Sequence, residues 1–390
     1  MNEQKTKGTP ESNPRGKNSL LLTVSNYGTA ALGLGAQAIA FHSLGLGREL
    51  DAYYAASVIP SVVTMTINNT QRNLLIPLFS GSSTDREQGK HLTSSIIMCT
   101  VTVSIILAAL LYLPGSFILE MFLPGFAPET LARTTELFPF FLATIPFSAA
   151  IGTIICLLLS RNLFFQHSLS AVIPGVTILL SVLTLLSSMG VMALVIGSMV
   201  GLALQLAYLA AVSARQCPFP LRLSWSHPEL KPLLRRSIPI LGSTLANRSS
   251  LLFEKSFASF LSPGAVSITE FARKITNAVG QSVTNLNMAS FPEMSRLAQE
   301  KNFHRFRQIL VENQKTMYMV FLFLMVAFLA VGEPSLRLLT GNNFESPGFS
   351  VREATTVVAI YFLVSCGAGL AGTMTYCFYA LTETKRYRLL

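Results

Sequence analysis

Ten apolar stretches of membrane-spanning length punctuate this chain, separated by short polar segments. They run over 19–44, 52–79, 93–113, 137–160, 168–188, 191–212, 238–261, 265–291, 316–339 and 355–380. A bilayer's hydrocarbon core is about 30 Å thick, which about 20 apolar residues cross as a helix. The pattern therefore predicts an all-α polytopic membrane protein of about ten transmembrane helices.

Two of these stretches depart from plain apolarity. RSSLLFEKSFASFL and VSITEFARKITNAVGQSVTNLN read as two helices hinged at Ser262-Pro263-Gly264. On the second, Glu270, Arg273, Lys274, Asn277, Gln281 and Asn285 recur at helical spacing, which gathers them on one polar stripe opposite Ile, Phe, Ala and Val. On the first, Arg248 and Lys255 share a face, with Glu254 beside it. Ionisable groups are costly in a bilayer and mostly face a bundle interior or a water-filled path. The pair reads as one wall of a cationic central cavity. The alternative is a mutually neutralised ion cluster that holds the helix in place. Glu270 would then pair with Arg273 or Lys274, and Glu-to-Lys at i,i+4 is a favoured arrangement.

Composition agrees with the hydropathy pattern. The chain is 51% hydrophobic and 12% charged, with a mean hydropathy of +0.50, too apolar for a soluble domain of this length. Its net charge of +10 would suit nucleic acid if the basic residues formed a patch, but they follow the loops instead. With a cytoplasmic N-terminus, Lys and Arg crowd the cytoplasmic segments, whereas the opposite loops hold only Arg48, Arg133, Arg337 and Arg352. That bias predicts both termini on the cytoplasmic side of a bacterial inner membrane. Arg72, Arg248, Lys255, Arg273 and Lys274 are left inside the spans.

The five cysteines show neither a CxxC nor a His-paired spacing and read as small core residues without a disulfide framework. Residues 1–18 are polar and read as a disordered cytoplasmic tail, not a cleavable signal. No metal-ligand cluster or cofactor motif is present. The Gly-x-Gly pairs of the first helix lack the preceding strand and following Lys-Ser/Thr of a phosphate loop. Asn26, Gln37 and His42 either line a cavity or join helices by hydrogen bonds. In the second helix Asn68 and Arg72 face the same way, and Arg72 either lines the cavity or snorkels to the cytoplasmic interface. Helices three to six, nearly free of charge, read as scaffold.

An internal repeat organises the whole. Phe41-x-Ser43 with Gly47 and Asp51-Ala52-Tyr53 matches Phe257-x-Ser259 with Pro263-Gly264 and Val266-Ser267 at an offset of about 216. LLIPLFS at 74–80 matches ASFPEMS at 289–295 in nearly the same register. The expected organisation is an N-lobe at 19–214, a basic cytoplasmic linker at 215–236 and a C-lobe at 237–390. The repeat is parallel, with a site expected where the halves meet. Six helices in the first half against four in the second suggest a shortened relative of a longer transporter.

LGLGRELDAYYAASVIPS, FLPGFAPET and FASFLSPGAVSITEFARKI followed by FPEMSRLA together resemble the MurJ/MviN family of lipid II flippases, within the multidrug/oligosaccharidyl-lipid/polysaccharide exporter superfamily. The similarity runs from about residue 20 to 385 in a constant order of motifs. The resemblance implies a two-lobed bundle that alternates between inward and outward openings and turns a lipid-linked glycan across the membrane during peptidoglycan biosynthesis. Asp51 and Arg273 fall on the family's charged positions. The family's further arginines do not carry over, since their positions fall near Ala30, Ala36, Thr64 and Met65, and the family's last helices have no counterpart.

The expected function is a flippase for a polyprenyl-pyrophosphate-linked glycan, lipid II or similar. It is not an enzyme, since no step needs a bond broken, and it uses no cofactor. The expected substrate-binding residues are Arg273, Arg72, Arg248, Lys255, Lys274, Asp51, Glu270, Asn277 and Gln281. Membrane lipids are partners, nucleic acid is not, and a coupling ion stays open. The competing readings are a flippase for an O-antigen-type glycan, a cation-coupled drug exporter and a non-transporting scaffold for envelope assembly. Like charges repel in a low dielectric, so a cationic cavity disfavours export of cationic drugs.

Overall fold

The computed structural model describes residues 14–81, 86–216, 230–340 and 350–386. Among these the chain forms eleven helices: α1 (Pro14–Leu44), α2 (Arg48–Gly81), α3 (Arg86–Tyr112), α4 (Gly115–Phe122), α5 (Pro128–Ser160), α6 (Phe164–Met189), α7 (Met192–Gln216), α8 (Leu230–Ser259), α9 (Ala265–Gln299), α10 (Phe303–Thr340) and α11 (Val351–Arg386). The protein is all-α, as the hydropathy pattern predicts. Each of the ten apolar stretches falls on one long helix, and only the short α4 was not anticipated. Seven helices, α2, α3, α5, α6, α7, α10 and α11, are long and apolar enough to cross a membrane. The count of ten is not established by this criterion. α8 and α9 are diluted by the charges noted above, and α1 carries polar Ser25, Asn26, Thr29, Gln37 and His42. Of the expected tail, residues 1–13 lie outside the described residues, while 14–18 already belong to α1, so the helix starts earlier than the hydropathy pattern suggests. Of the expected linker, residues 217–229 lie outside the described residues, and 230–236 form the first turns of α8.

The chain divides into two compact units, one of Met1–Ala36 with Ala55–Ser256, the other of Gln37–Tyr54 with Phe257–Leu390. In the first, α5 is the central helix. Ile145, Cys156 and Leu158 are wholly enclosed, and α5 packs against α3, α4, α6 and α7. One apolar cluster joins Leu75 and Phe79 of α2, Ile96 and Cys99 of α3, and Cys156 and Leu157 of α5. A second joins Ile97, Ile151, Ile154, Leu158 and Leu209 across α3, α5 and α7. Close approach here depends on missing side chains. A Cβ on Gly201 of α7 would stand 2.9 Å from the Pro174 Cα of α6, the small-residue packing that lets helices associate in lipid. Hydroxyls within these helices turn back on their own backbone. Thr66, Thr70, Thr100 and Thr134 each donate to the carbonyl four residues earlier, which satisfies these O–H groups in apolar surroundings.

The second unit is built from α9, α10 and α11 together with the α1–α2 corner. Met294, Leu297 and Ala298 of α9 meet Phe306 and Ile309 of α10, and Phe328 of α10 tilts against Phe362 of α11 at 6.2 Å. α9 begins at Gly264, whose φ of 97° lies in the left-handed region. A Cβ there would also stand 3.2 Å from the Leu46 Cβ. Valine at this position combines backbone strain of about 1–2 kcal/mol with that crowding. Gly264→Val should therefore lower the melting temperature of the detergent-purified protein, whereas Gly280→Ala, in open space within α9, should leave it nearly unchanged.

Candidate functional site

The first turn of α9 has backbone N–H groups with no intrahelical acceptor, as every helix start does. Here the acceptor comes from another helix. Asp51, 3% exposed, accepts from the Gly264 N–H at 2.6 Å, the Ser267 N–H at 2.8 Å and the Ser267 hydroxyl at 2.6 Å. A carboxylate at a helix N-terminus is doubly favoured, by these charge-assisted bonds and by the helix dipole. Asp51 and Ser267 are 216 residues apart, the offset of the repeat, so the bond links two positions that are each other's counterparts. The α1–α2 corner and the start of α9 are thereby pinned together. Phe41 and Phe271, with ring centroids at 5.5 Å, pack beside the pin.

One turn along α9 the predicted stripe appears, and burial grades it. Glu270 is 8% exposed, Arg273 and Lys274 are half-buried, and Asn277 is exposed. Gln281 and Asn285 lie on the helix, but their side chains are outside the description. Glu270 pairs with Arg273 in a fork: Arg273 NH2 to Glu270 Oε1 at 2.5 Å and Nε to Oε2 at 3.3 Å. The Lys274 ammonium stands over the Tyr54 ring, 5.3 Å from its centroid, a cation–π contact. Tyr53 meets the edge of Tyr54 at 5.0 Å.

The remaining candidates belong to the first unit. Arg72 is exposed on α2, within electrostatic reach of Cys156 and His167. Its neighbours on α2 tie that helix to α5: Asn68 donates to the Ser148 hydroxyl at 3.0 Å, and Gln71 to the Ala149 carbonyl and the Thr153 hydroxyl, both at 3.0 Å. Arg248 is half-buried on α8. Lys255 is 1% exposed, with Glu254 at 3.3 Å. The structure thus brings Asp51, Glu270, Arg273 and Lys274 together in one unit and sets Arg72, Arg248 and Lys255 in the other.

Sequence reasoning missed Ser267, Tyr53 and Tyr54. Ser267 had a signal, its place at the repeat offset from Asp51. The tyrosines had none beyond their run beside that aspartate. Chemically, the second-unit cluster offers two adjacent cations on one helix, one in a fork and one on an aromatic face. Such a pair suits an anion with planar, multiply charged oxygen faces, above all a phosphate. Among the described residues no group of His, Cys, Asp and Glu could hold a metal ion.

Comparison with known proteins gives a consistent family picture. The sequence family described as lipid II flippase MurJ matches residues 41–386. A curated relative from Aquifex aeolicus (strain VF5), named probable lipid II flippase MurJ, is 22% identical over 260 residues, covering 66% of this chain and 52% of the relative. The chain thus spans about half the length of that relative. A solved structure of lipid II flippase MurJ in an inward closed conformation superposes with a TM-score of 0.75 at 18% identity, covering 93% of this chain and 76% of that one. An inward-facing multidrug resistance MATE family transporter of the MOP superfamily superposes with a TM-score of 0.67 at 12% identity, covering 90% and 84%. Likeness at these identities is likeness of fold.

Proposed function

Because the chain belongs to the family of MurJ lipid II flippases, we propose that it turns a polyprenyl-pyrophosphate-linked glycan of the lipid II type across the bacterial inner membrane by alternating access. The observation that carries this reading is the adjacent Arg273 and Lys274 on α9, two cations kept half-buried within the helix bundle. A pyrophosphate is the most charged part of such a substrate and the part that loses most on leaving water. Two adjacent cations offset that loss, and the guanidinium does so through parallel hydrogen bonds. Asn277, exposed one turn further along, and Gln281 beyond it in sequence supply amides for sugar or peptide hydrogen bonds. Arg72, Arg248 and Lys255 belong to the other unit and are proposed to supply that unit's own positive charge for the substrate.

Asp51 has a different part in this reading. Its three bonds to α9 hold two helix corners together, and the charge bias of the loops puts those corners on the outer side. The pin would be closed when the site faces the cytoplasm and broken when the site opens outward. Each half-cycle exchanges its bonds for bonds to water, so the difference between the two states stays small enough for substrate binding to shift.

The test is depletion in the native host, with extraction of lipid-linked intermediates. Accumulation of lipid II on the cytoplasmic face is the expected result. Accumulation of a different polyprenyl-linked sugar would assign the chain to that glycan, and an unchanged lipid-intermediate profile would remove transport from the account.

A further inference from the structure

The fork of Arg273 is occupied by Glu270, which presents its two carboxylate oxygens to the guanidinium. This is the face by which an arginine takes two oxygens of a phosphate. The two ligands cannot share it. Glu270 sits one helical turn before Arg273 on the same rigid helix, so its effective concentration at the fork is high and does not depend on anything in solution. Its side chain is 11% exposed against 21% for Arg273, so the pair is only partly solvated.

We infer that Glu270 is a built-in stand-in for the substrate's phosphate. It holds Arg273 when the site is empty, yields when a pyrophosphate arrives, and returns to the fork to help expel the substrate. This rests on the reading of Arg273 as a pyrophosphate ligand. The apparent affinity is the intrinsic affinity reduced by the fraction of time the fork is free. A competitor of this kind weakens binding and speeds release together, which suits a carrier that must discharge its cargo at the far face. The neighbouring Lys274, stacked on Tyr54, gives the incoming phosphate a first foothold while Arg273 is still engaged. Tyr53 and Tyr54 of α2 lie within electrostatic reach of Glu270.

The test uses the full chain in nanodiscs and a fluorescent polyprenyl pyrophosphate as probe, with equilibrium affinity and dissociation rate both measured. Glu270→Gln keeps the shape and removes the charge, and Glu270→Ala removes the carboxylate altogether. Both should bind the probe about tenfold more tightly and release it correspondingly more slowly, since a charge-assisted competitor has been removed. The probe should also raise the melting temperature more in these variants than in the wild type, because it then binds without displacing a carboxylate from Arg273. If Arg273→Ala loses binding while both Glu270 variants bind more weakly than wild type, Glu270 orients Arg273 and does not compete with substrate. If they bind unchanged, it does neither; in both cases the inference falls and the function stands. If Arg273→Ala binds the probe like wild type, the reading of Arg273 itself is wrong.

Discussion

Arg273→Ala protein is expected to accumulate in the membrane, folded and at near-normal level, and to move no substrate. The fork contributes charge-assisted, bidentate bonds in a site partly shielded from water. Loss of such a group at a charge-stabilising site costs about 2–4 kcal/mol, or about a hundred- to a thousandfold in rate. Folding should suffer far less. The Arg273–Glu270 pair lies within one helix and is partly solvated, and pairs of this kind contribute about 1 kcal/mol or less to stability. Arg273→Lys should retain part of the activity, because it keeps the charge and loses the fork. The check is transport in reconstituted vesicles alongside a melting curve. Loss of the folded protein from the membrane, with activity per folded molecule unchanged, would instead make the pair a structural ion cluster.

Asp51→Ala should have the largest effect on stability. It strips the acceptor from two backbone N–H groups and one hydroxyl in a place where Asp51 itself is 3% exposed. Unsatisfied buried donors cost about 1–3 kcal/mol each, and water entering the gap recovers part of this, leaving about 3–5 kcal/mol. Asp51→Asn keeps one carbonyl oxygen for the α9 N-terminus and should fall between alanine and wild type. Thermal unfolding in detergent orders the three. Because Asp51 is also proposed to close the outer side, Asp51→Asn should expose a cysteine introduced near Ser262 to a membrane-impermeant thiol reagent more than the wild type does. Equal labelling would confine Asp51 to capping a helix.

How much of this could be read from the chain differs between fold and site. Hydropathy locates the long helices because each must satisfy its backbone internally and show an apolar surface to lipid. α4 escapes because an eight-residue helix is too short to leave a spanning signature. The stripe on α9 is legible because helical spacing alone puts Glu270, Arg273 and Lys274 on one face. The aromatic contact of Lys274 was not legible, because the Tyr54 ring beneath it comes from another helix and spacing along α9 carries no sign of it. Asp51 shows the same limit. Its charge marks it as important, but whether it meets substrate or a helix terminus depends on a contact 216 residues away, for which the repeat offset is the one clue in the sequence. For Arg72 two readings stood open, cavity wall or interfacial snorkel; the structure adds its exposure and its nearness to Cys156 and His167, neither of which spacing along α2 reveals.

Flipping of a lipid II-type substrate by the α9 cations is decided by expression in a bacterium whose essential lipid II flippase can be switched off, with growth followed together with the accessibility of lipid II at the outer face. The wild-type chain should rescue growth, with lipid II appearing outside, and Arg273→Ala present at equal level in the membrane should not. Failure of the wild-type chain to rescue while folded in the membrane, or rescue that survives Arg273→Ala together with Lys274→Ala, would contradict this role.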